Sequence, residues 1–202
     1  MSIITFISDF GMYDHYVSSV KASILKYNTN NKIIDISHDI KKYDLSHAAH
    51  VFKNVYKEFP QGSTHIIAVK NYESSENILL FQINNHFIIT FDSGIISLIS
   101  SKENIPATKI EGLKNKIFPE KFIGEIASRL ASGINYTTLG KPTNTFKRFL
   151  DREVSISKNK IIGYTMRIDS YGNIITNINS LDFNKSLNKS SGSFSINLGV
   201  DK

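Results

Sequence analysis

The chain of 202 residues contains no cysteine. Disulfides, thiolate metal sites and cysteine nucleophiles are therefore excluded together, and a reducing compartment fits. No apolar run approaches the roughly 20 residues needed to cross a bilayer. The opening residues, Met1-Ser2-Ile3-Ile4-Thr5-Phe6, have no basic region and run into Asp9, so they do not read as a signal peptide. A soluble, cytoplasmic protein with no membrane partner is expected. Internal repeats and low-complexity tracts are also lacking. So are Gly-x-Gly-x-x-Gly, the Walker Gly-Lys-Ser/Thr and Gly-x-Ser-x-Gly. The tripeptide Asp9-Phe10-Gly11 occurs in kinases, but no glycine-rich or catalytic loop precedes it here.

What is present is an ordinary globular composition, 41% hydrophobic and 21% charged, long enough to bury a sizeable core. The net charge of +6 raises a nucleic-acid partner as a question. The lysines answer it, being scattered singly or in pairs such as Lys41-Lys42 with no basic-aromatic segment, so no nucleic-acid partner is expected.

Along the first 150 residues strand and helix signals alternate. Ile3–Ser8, Lys32–Ile36 and Ser63–Val69 read as strands, and Ile78–Ile83 with Phe87–Thr90 as a hairpin around Asn84-Asn85. Tyr16–Tyr27 has helical spacing with Asp14 available as a cap. Asp44 caps an amphipathic helix that Pro60 stops, and a helix near Lys121–Ser132 ends at Gly133. This predicts an α/β fold with a mainly parallel sheet flanked by helices over residues 1–145. Gly140–Asp151 reads as a linker. Residues 151–202 show strands only, at Lys160–Ile168, Asn173–Ile178 and Ser193–Leu198, which predicts a small all-β C-terminal domain that looks incomplete.

Ligands in such sheets bind at the carboxyl ends of strands. The candidates are Ser8-Asp9-Phe10-Gly11, Ser37-His38-Asp39, Lys70-Asn71-Tyr72 and Asp92-Ser93-Gly94. Each alone suits a turn or a helix cap, and their convergence would make a polar pocket. His47 and His50 lie three apart on a predicted helix beside Ala48, Val51 and Phe52, which suits boundary histidines better than metal ligands. Asp9, Asp14, His38 and Asp39 could face a hard cation, but nothing fixes their geometry, and no metal is expected.

Three segments taken together resemble one family. They are Ser8-Asp9-Phe10-Gly11-x-x-Asp14-His15-Tyr16-Val17 with Lys21, then Ile34-Asp35-Ile36-Ser37-His38-Asp39-Ile40 with Tyr43-Asp44, then Asp169-Ser170-Tyr171-Gly172-Asn173 leading into Thr176-Asn177. Phe59-Pro60-x-Gly62-Ser63 and Arg129-Leu130-Ala131-Ser132-Gly133 extend the match in the same order. The pattern is similar to the S-adenosylmethionine hydroxide adenosyltransferases and the related fluorinases and chlorinases. The resemblance implies an N-terminal α/β domain, a C-terminal β domain and a homotrimer with its small-molecule ligand between subunits. It implies attack of hydroxide or halide on the ribose C5′ of S-adenosylmethionine, with loss of methionine and without metal or organic cofactor.

The resemblance carries over Asp9 as the carboxylate on the ribose hydroxyls and Tyr43 as an aromatic wall. Asp92 and Ser93 stand at the turn before Gly94, and Asp169, Tyr171 and Asn173 match the set facing methionine and adenine. The family's Asp, Arg and His that position water fall at Lys70, Asn77 and Phe118, all changed. Lys70 and Asn77 are therefore the candidate catalytic positions, with altered machinery. The expected function is cleavage of S-adenosylmethionine to adenosine and methionine; the alternative is a catalytically inactive homologue that binds adenosine or S-adenosylmethionine.

Overall fold

Strand β1, Ile3–Ser8, is buried along almost its whole length, which requires cover on both faces. A computed structural model of the chain, describing residues 2–69, 77–100, 105–111, 119–149, 152–189 and 192–199, shows that cover. Two compact units divide it, Met1–Phe149 and Leu150–Lys202.

In the first unit β1 is followed by α1 (Tyr16–Tyr27), β2 (Lys32–Ser37), α2 (Leu45–Val55) and β3 (Thr64–Ala68). Then come the hairpin β4 (Ile78–Ile83) and β5 (His86–Phe91), α3 (Ile95–Ile99), β6 (Ala107–Ile110), α4 (Pro119–Ala131) and β7 (Gly140–Thr143). The sheet order is β2-β1-β3-β5-β4-β6-β7. Neighbours β2, β1, β3 and β5 are parallel, and β6 shares their direction, so five of the seven strands run one way. The expected α/β class with a mainly parallel sheet is observed.

Alternation along the strands sorts the core into two layers. Ile4, Phe6, Ile66 and Ile89 pack with Val17, Val20, Ile123 and Ile126 of α1 and α4. Ile7, Ile67 and Ile88 pack with Leu45, Ala48 and Phe52 of α2 and with α3. Asp44 caps α2, accepting from the His47 N–H at 2.9 Å, as its position before the apolar stripe predicts. The N-cap of α1 is His15 rather than Asp14, and its side chain makes no capping hydrogen bond. Asn84 and Asn85 take φ of 50° and 62° to close the β4–β5 hairpin, a conformation Asn tolerates better than most residues.

The expected linker at Gly140–Asp151 is a correction. Gly140–Thr143 forms β7 on the edge of β6, and residues 144–149 strap back over the first unit. The Phe146 ring meets Phe81 edge-on at 5.2 Å, and the Phe149 N–H donates to Ser97 Oγ at 2.7 Å.

The second unit contains two antiparallel hairpins, β8 (Ser155–Ile156) with β9 (Ile161–Ile162), and β10 (Thr165–Ile168) with β11 (Ile174–Thr176). The single strand expected at Lys160–Ile168 breaks at Gly163, where a Cβ would collide with the Asn177 and Ile178 side chains. The strand expected at Ser193–Leu198 is absent among the described residues, and a helix, α5 (Ser180–Lys189), precedes that segment. Asn179 starts α5 by accepting from the Asp182 N–H at 2.8 Å, a capping signal that the strand periodicity masks.

Gly124 sits where α4 crosses α1, and a Cβ there would fall on Ser23 Oγ and 2.8 Å from the Val20 carbonyl oxygen. Gly124→Ala gains about 1 kcal/mol of helix propensity but should lose more than that to overpacking, for a net destabilisation of about 1–2 kcal/mol. Urea denaturation reads this directly, and a midpoint at or above wild type would show that the helices separate freely.

A second test of the core concerns His65, fully buried, with Nδ1 2.7 Å from Thr5 Oγ1 and Nε2 3.0 Å from His86 Nδ1. Burial first, and then the charge of His86, push the His65 pKa down to about 3 from an ordinary 6.5. Between those values the unfolded chain binds a proton that the folded chain refuses. Stability should therefore fall as pH drops below about 6.5, by up to about 1.4 kcal/mol per pH unit from this group. His65→Gln should flatten the wild-type slope of urea midpoint against pH between pH 6.5 and 5. Equal slopes in the two proteins would remove His65 as its source.

Candidate functional site

The carboxyl ends of β1, β2 and β5 gather the residues that sequence position singles out. After Ser8 the chain turns through Asp9 and Phe10 to Gly11, whose φ of 72° suits glycine. The Gly11 N–H donates to the His38 carbonyl at 2.9 Å, which ties the loop after β1 to the end of β2. Asp9 Oδ2 accepts from the Tyr43 N–H at 2.9 Å. Tyr43 itself has φ 65°, an unfavourable conformation for a bulky residue, costing about 1–2 kcal/mol. Strain of this kind persists where neighbours fix it, and it concentrates at binding sites. Asp9 and Tyr43 are thus brought into direct contact, and the Tyr43 ring remains half exposed.

Beside this pair runs a polar chain that sequence reasoning missed, buried at Ser8 and His38 and partly exposed at Asp35 and Lys21. Ser8 Oγ is 2.7 Å from His38 Nδ1, and His38 Nε2 is 3.1 Å from Asp35 Oδ1. The other oxygen of Asp35 pairs with Lys21 Nζ on α1. Burial opposes ionisation of Asp35, but the hydrogen bonds and charges of Lys21 and His38 outweigh it and hold the carboxyl below its usual range. The Phe6 ring closes the histidine off edge-on at 4.6 Å. The legible signal was Asp35-x-x-His38 at the end of one strand beside a serine at the end of the next.

Beyond β1 and β3, β5 ends in Asp92-Ser93-Gly94. The Asp92 N–H donates to the Asn77 carbonyl at 2.9 Å, and its Oδ1 accepts from the Lys147 N–H at 2.7 Å. Asp92 therefore anchors the strap and adjoins Asn77. Ser93 is buried, and its hydroxyl has no hydrogen-bond partner among the described residues. Gly94 has φ 90°, and a Cβ there would press on the strap backbone, 3.3 Å from Phe149 N. Strand spacing puts the ends of β1 and β5 about 10 Å apart, with β3 between them. Lys70 and Phe118 lie outside the described residues.

In the second unit Asp169, Tyr171 and Asn173 form the turn of the β10–β11 hairpin. Asp169 Oδ1 accepts from the N–H groups of Tyr171 and Asn173 at 2.9 and 2.8 Å, and Oδ2 from the Asn173 side-chain amide at 2.9 Å. Those bonds, the Asn173 side chain foremost, hold the Asp169 carboxyl below its ordinary value. The carboxylate shapes the turn, and the turn presents Tyr171, 91% exposed. Among the described residues no group of three or more His, Asp or Glu side chains could hold a metal ion, and no helix is long and apolar enough to cross a membrane.

The same residues can be compared with known proteins. Residues 4–140 match the profile of the SAM hydroxide adenosyltransferase N-terminal domain. The (R)-S-adenosyl-L-methionine hydrolase of Methanocaldococcus jannaschii is 30% identical over 188 residues, covering 88% of this chain and 67% of that protein. Two solved structures share the fold. A conserved protein of Thermotoga maritima superposes with a TM-score of 0.81 at 24% identity, over 93% of this chain and 74% of that one. A conserved protein of Thermus thermophilus gives 0.69 at 23%, over 87% and 72%. With a profile match that spans the sheet from β1 to the start of β7, the chain belongs to the SAM hydroxide adenosyltransferase family.

Proposed function

We propose that the protein binds S-adenosylmethionine at the carboxyl ends of β1 and β5 and cleaves it to adenosine and methionine. The observation that carries this is the Asp9–Tyr43 contact, which presents a carboxylate and a strained aromatic residue together at the end of β1. In this reading Asp9 accepts from the ribose hydroxyls and the Tyr43 ring walls the sugar. A homotrimer would bring the Asp169–Asn173 hairpin of a neighbouring subunit to the adenine and methionine end, with Tyr171 as the stacking surface.

The chemistry asks little of the protein. Hydroxide forms a bond to C5′, the C5′–sulfur bond breaks, and its electron pair returns to sulfur as the neutral thioether of methionine. Water supplies the hydroxide and releases one proton. A sulfonium is already a good leaving group, so alignment and desolvation of the nucleophile supply the acceleration, and no metal or organic cofactor is required. Lys70 and Asn77 replace the family's water-positioning Asp and Arg. A lysine near a cationic substrate favours an anionic nucleophile by charge, and one losing its proton through desolvation would serve as a base. The replacement of all three family positions favours the second reading, a nucleoside-binding homologue without turnover.

Mass spectrometry after incubation with S-adenosylmethionine, with and without halide, separates these. Adenosine and methionine above the no-protein control support the hydrolase, whereas a halogenated adenosine redirects the reading to halide. No product from protein that still binds adenosine leaves the binding homologue. Asp9→Ala should weaken adenosine binding by about 10- to 100-fold, the scale of a charge-assisted hydrogen bond, as read by calorimetry. Unchanged affinity would discard Asp9 as the ribose ligand. Lys70→Ala should abolish turnover, and surviving activity would remove Lys70 from the mechanism.

A further inference from the structure

The Ser8–His38–Asp35 arrangement has the composition of a hydrolytic triad, but its serine hydroxyl cannot be a nucleophile. Ser8 is 0% exposed and His38 5%, so no substrate carbon reaches Oγ. The chain ends instead at the residue before Asp9. Three bonds converge on the loop from Ser8 to Gly11. The His38 ring meets Ser8 Oγ at 2.7 Å, the His38 carbonyl accepts from the Gly11 N–H at 2.9 Å, and Ser8 Oγ lies 3.4 Å from the Phe10 N–H. His38 therefore grips both ends of the loop whose middle carries Asp9.

We infer that His38, fixed by Asp35 and Lys21, is a positioning residue that acts through Ser8 to aim the Asp9 carboxylate at the ligand and at the Tyr43 N–H. This rests on the reading of Asp9 as the ribose ligand. Asp35 Oδ1 lies 3.1 Å from His38 Nε2, a charge contact out of line for a hydrogen bond, while Nδ1 shares one hydrogen bond with Ser8 Oγ, which also accepts from the Phe10 N–H. Lys21 on α1 anchors the far end, so the helix following β1 helps fix the end of that same strand. Phe6 keeps water from competing with the imidazole. A preorganised loop saves the ligand the ordering of Asp9 and Tyr43 on binding.

The test uses the full chain and two readouts. In Ser8→Ala, adenosine affinity by calorimetry should fall about tenfold, the effect of one lost hydrogen bond transmitted to the ligand carboxylate. Hydrogen exchange of the Tyr43 amide, which reads the Asp9 contact without any ligand, should quicken by a similar factor. The amides of β3 should keep wild-type protection, since a purely structural defect would quicken them together with Tyr43. His38→Asn, whose amide occupies the place of Nδ1 and preserves the bond to Ser8, should restore most of both readouts relative to Ser8→Ala. Asp35→Asn, on a half-exposed residue that tolerates change, should move both readouts in the same direction by less. Wild-type affinity and wild-type Tyr43 exchange in Ser8→Ala would overturn the inference, as would a loss spread evenly over all amides. Failure of the unaltered protein to bind adenosine overturns the ribose reading instead, and Tyr43 exchange then decides the positioning role by itself.

Discussion

Because β1, β3 and β5 are covered on both faces, their side chains are apolar or internally satisfied until the strands end, the hydroxyl of Thr64 at the start of β3 excepted. Ile4, Phe6 and Ile7 of β1 fill the two layers, and Thr5 faces inward only because His65 pairs with its hydroxyl. Unpaired polar groups in such a layer would cost about 1–3 kcal/mol each. Chemistry is therefore displaced to the residues that follow the strands, where the backbone leaves the sheet and water is near. Asp9, His38, Asp92 and Ser93 all stand at that level, and no separate device is needed to assemble them. The parallel direction of β2, β1, β3 and β5 brings them to one edge.

This is also why the first unit was largely legible in the sequence. Near-continuous burial at Ser63–Val69, the cap at Asp44, and the double-Asn hairpin each have one local cause, and each lies where its signal predicts. The second unit was less legible for an equally physical reason. Its strands are two to four residues long, with exposed Ile156, Ile162 and Ile168, so period-two alternation barely registers. Gly163 splits one apparent strand through a contact with Ile178, which no local pattern encodes. The α5 cap at Asn179 was written in the sequence but competed with β-rich neighbours. At the site, the positions of Asp9 and Tyr43 were readable, whereas the Ser8–His38–Asp35 chain joins two strands across a register that only pairing reveals.

The strap alters what Asp92 means. Sequence position alone presents it as a ligand contact, but its carboxylate receives the Lys147 N–H, and Gly94 leaves room for the strap backbone beside it. Asp92 thus fixes the segment that leaves the first unit to the same strand end that carries Ser93. A segment so attached cannot shift without disturbing β5, through Asp92 on one side and through Ser97 and Phe149 on the other.

The two strand ends divide the work differently. The β1 end is built for rigidity, with a strained Tyr43, a carboxylate already engaged with it, and a charged chain running from Lys21 to Ser8. The β5 end leaves the buried Ser93 hydroxyl without a partner among the described residues, which costs stability. Under the proposed function the rigid end would hold the sugar, and binding energy from the nucleoside would align a separate reacting group. That end would serve displacement at C5′ and mere nucleoside capture equally well. What separates those two readings is therefore the pair of positions proposed to handle the nucleophile, Lys70 and Asn77, and not the end of β1.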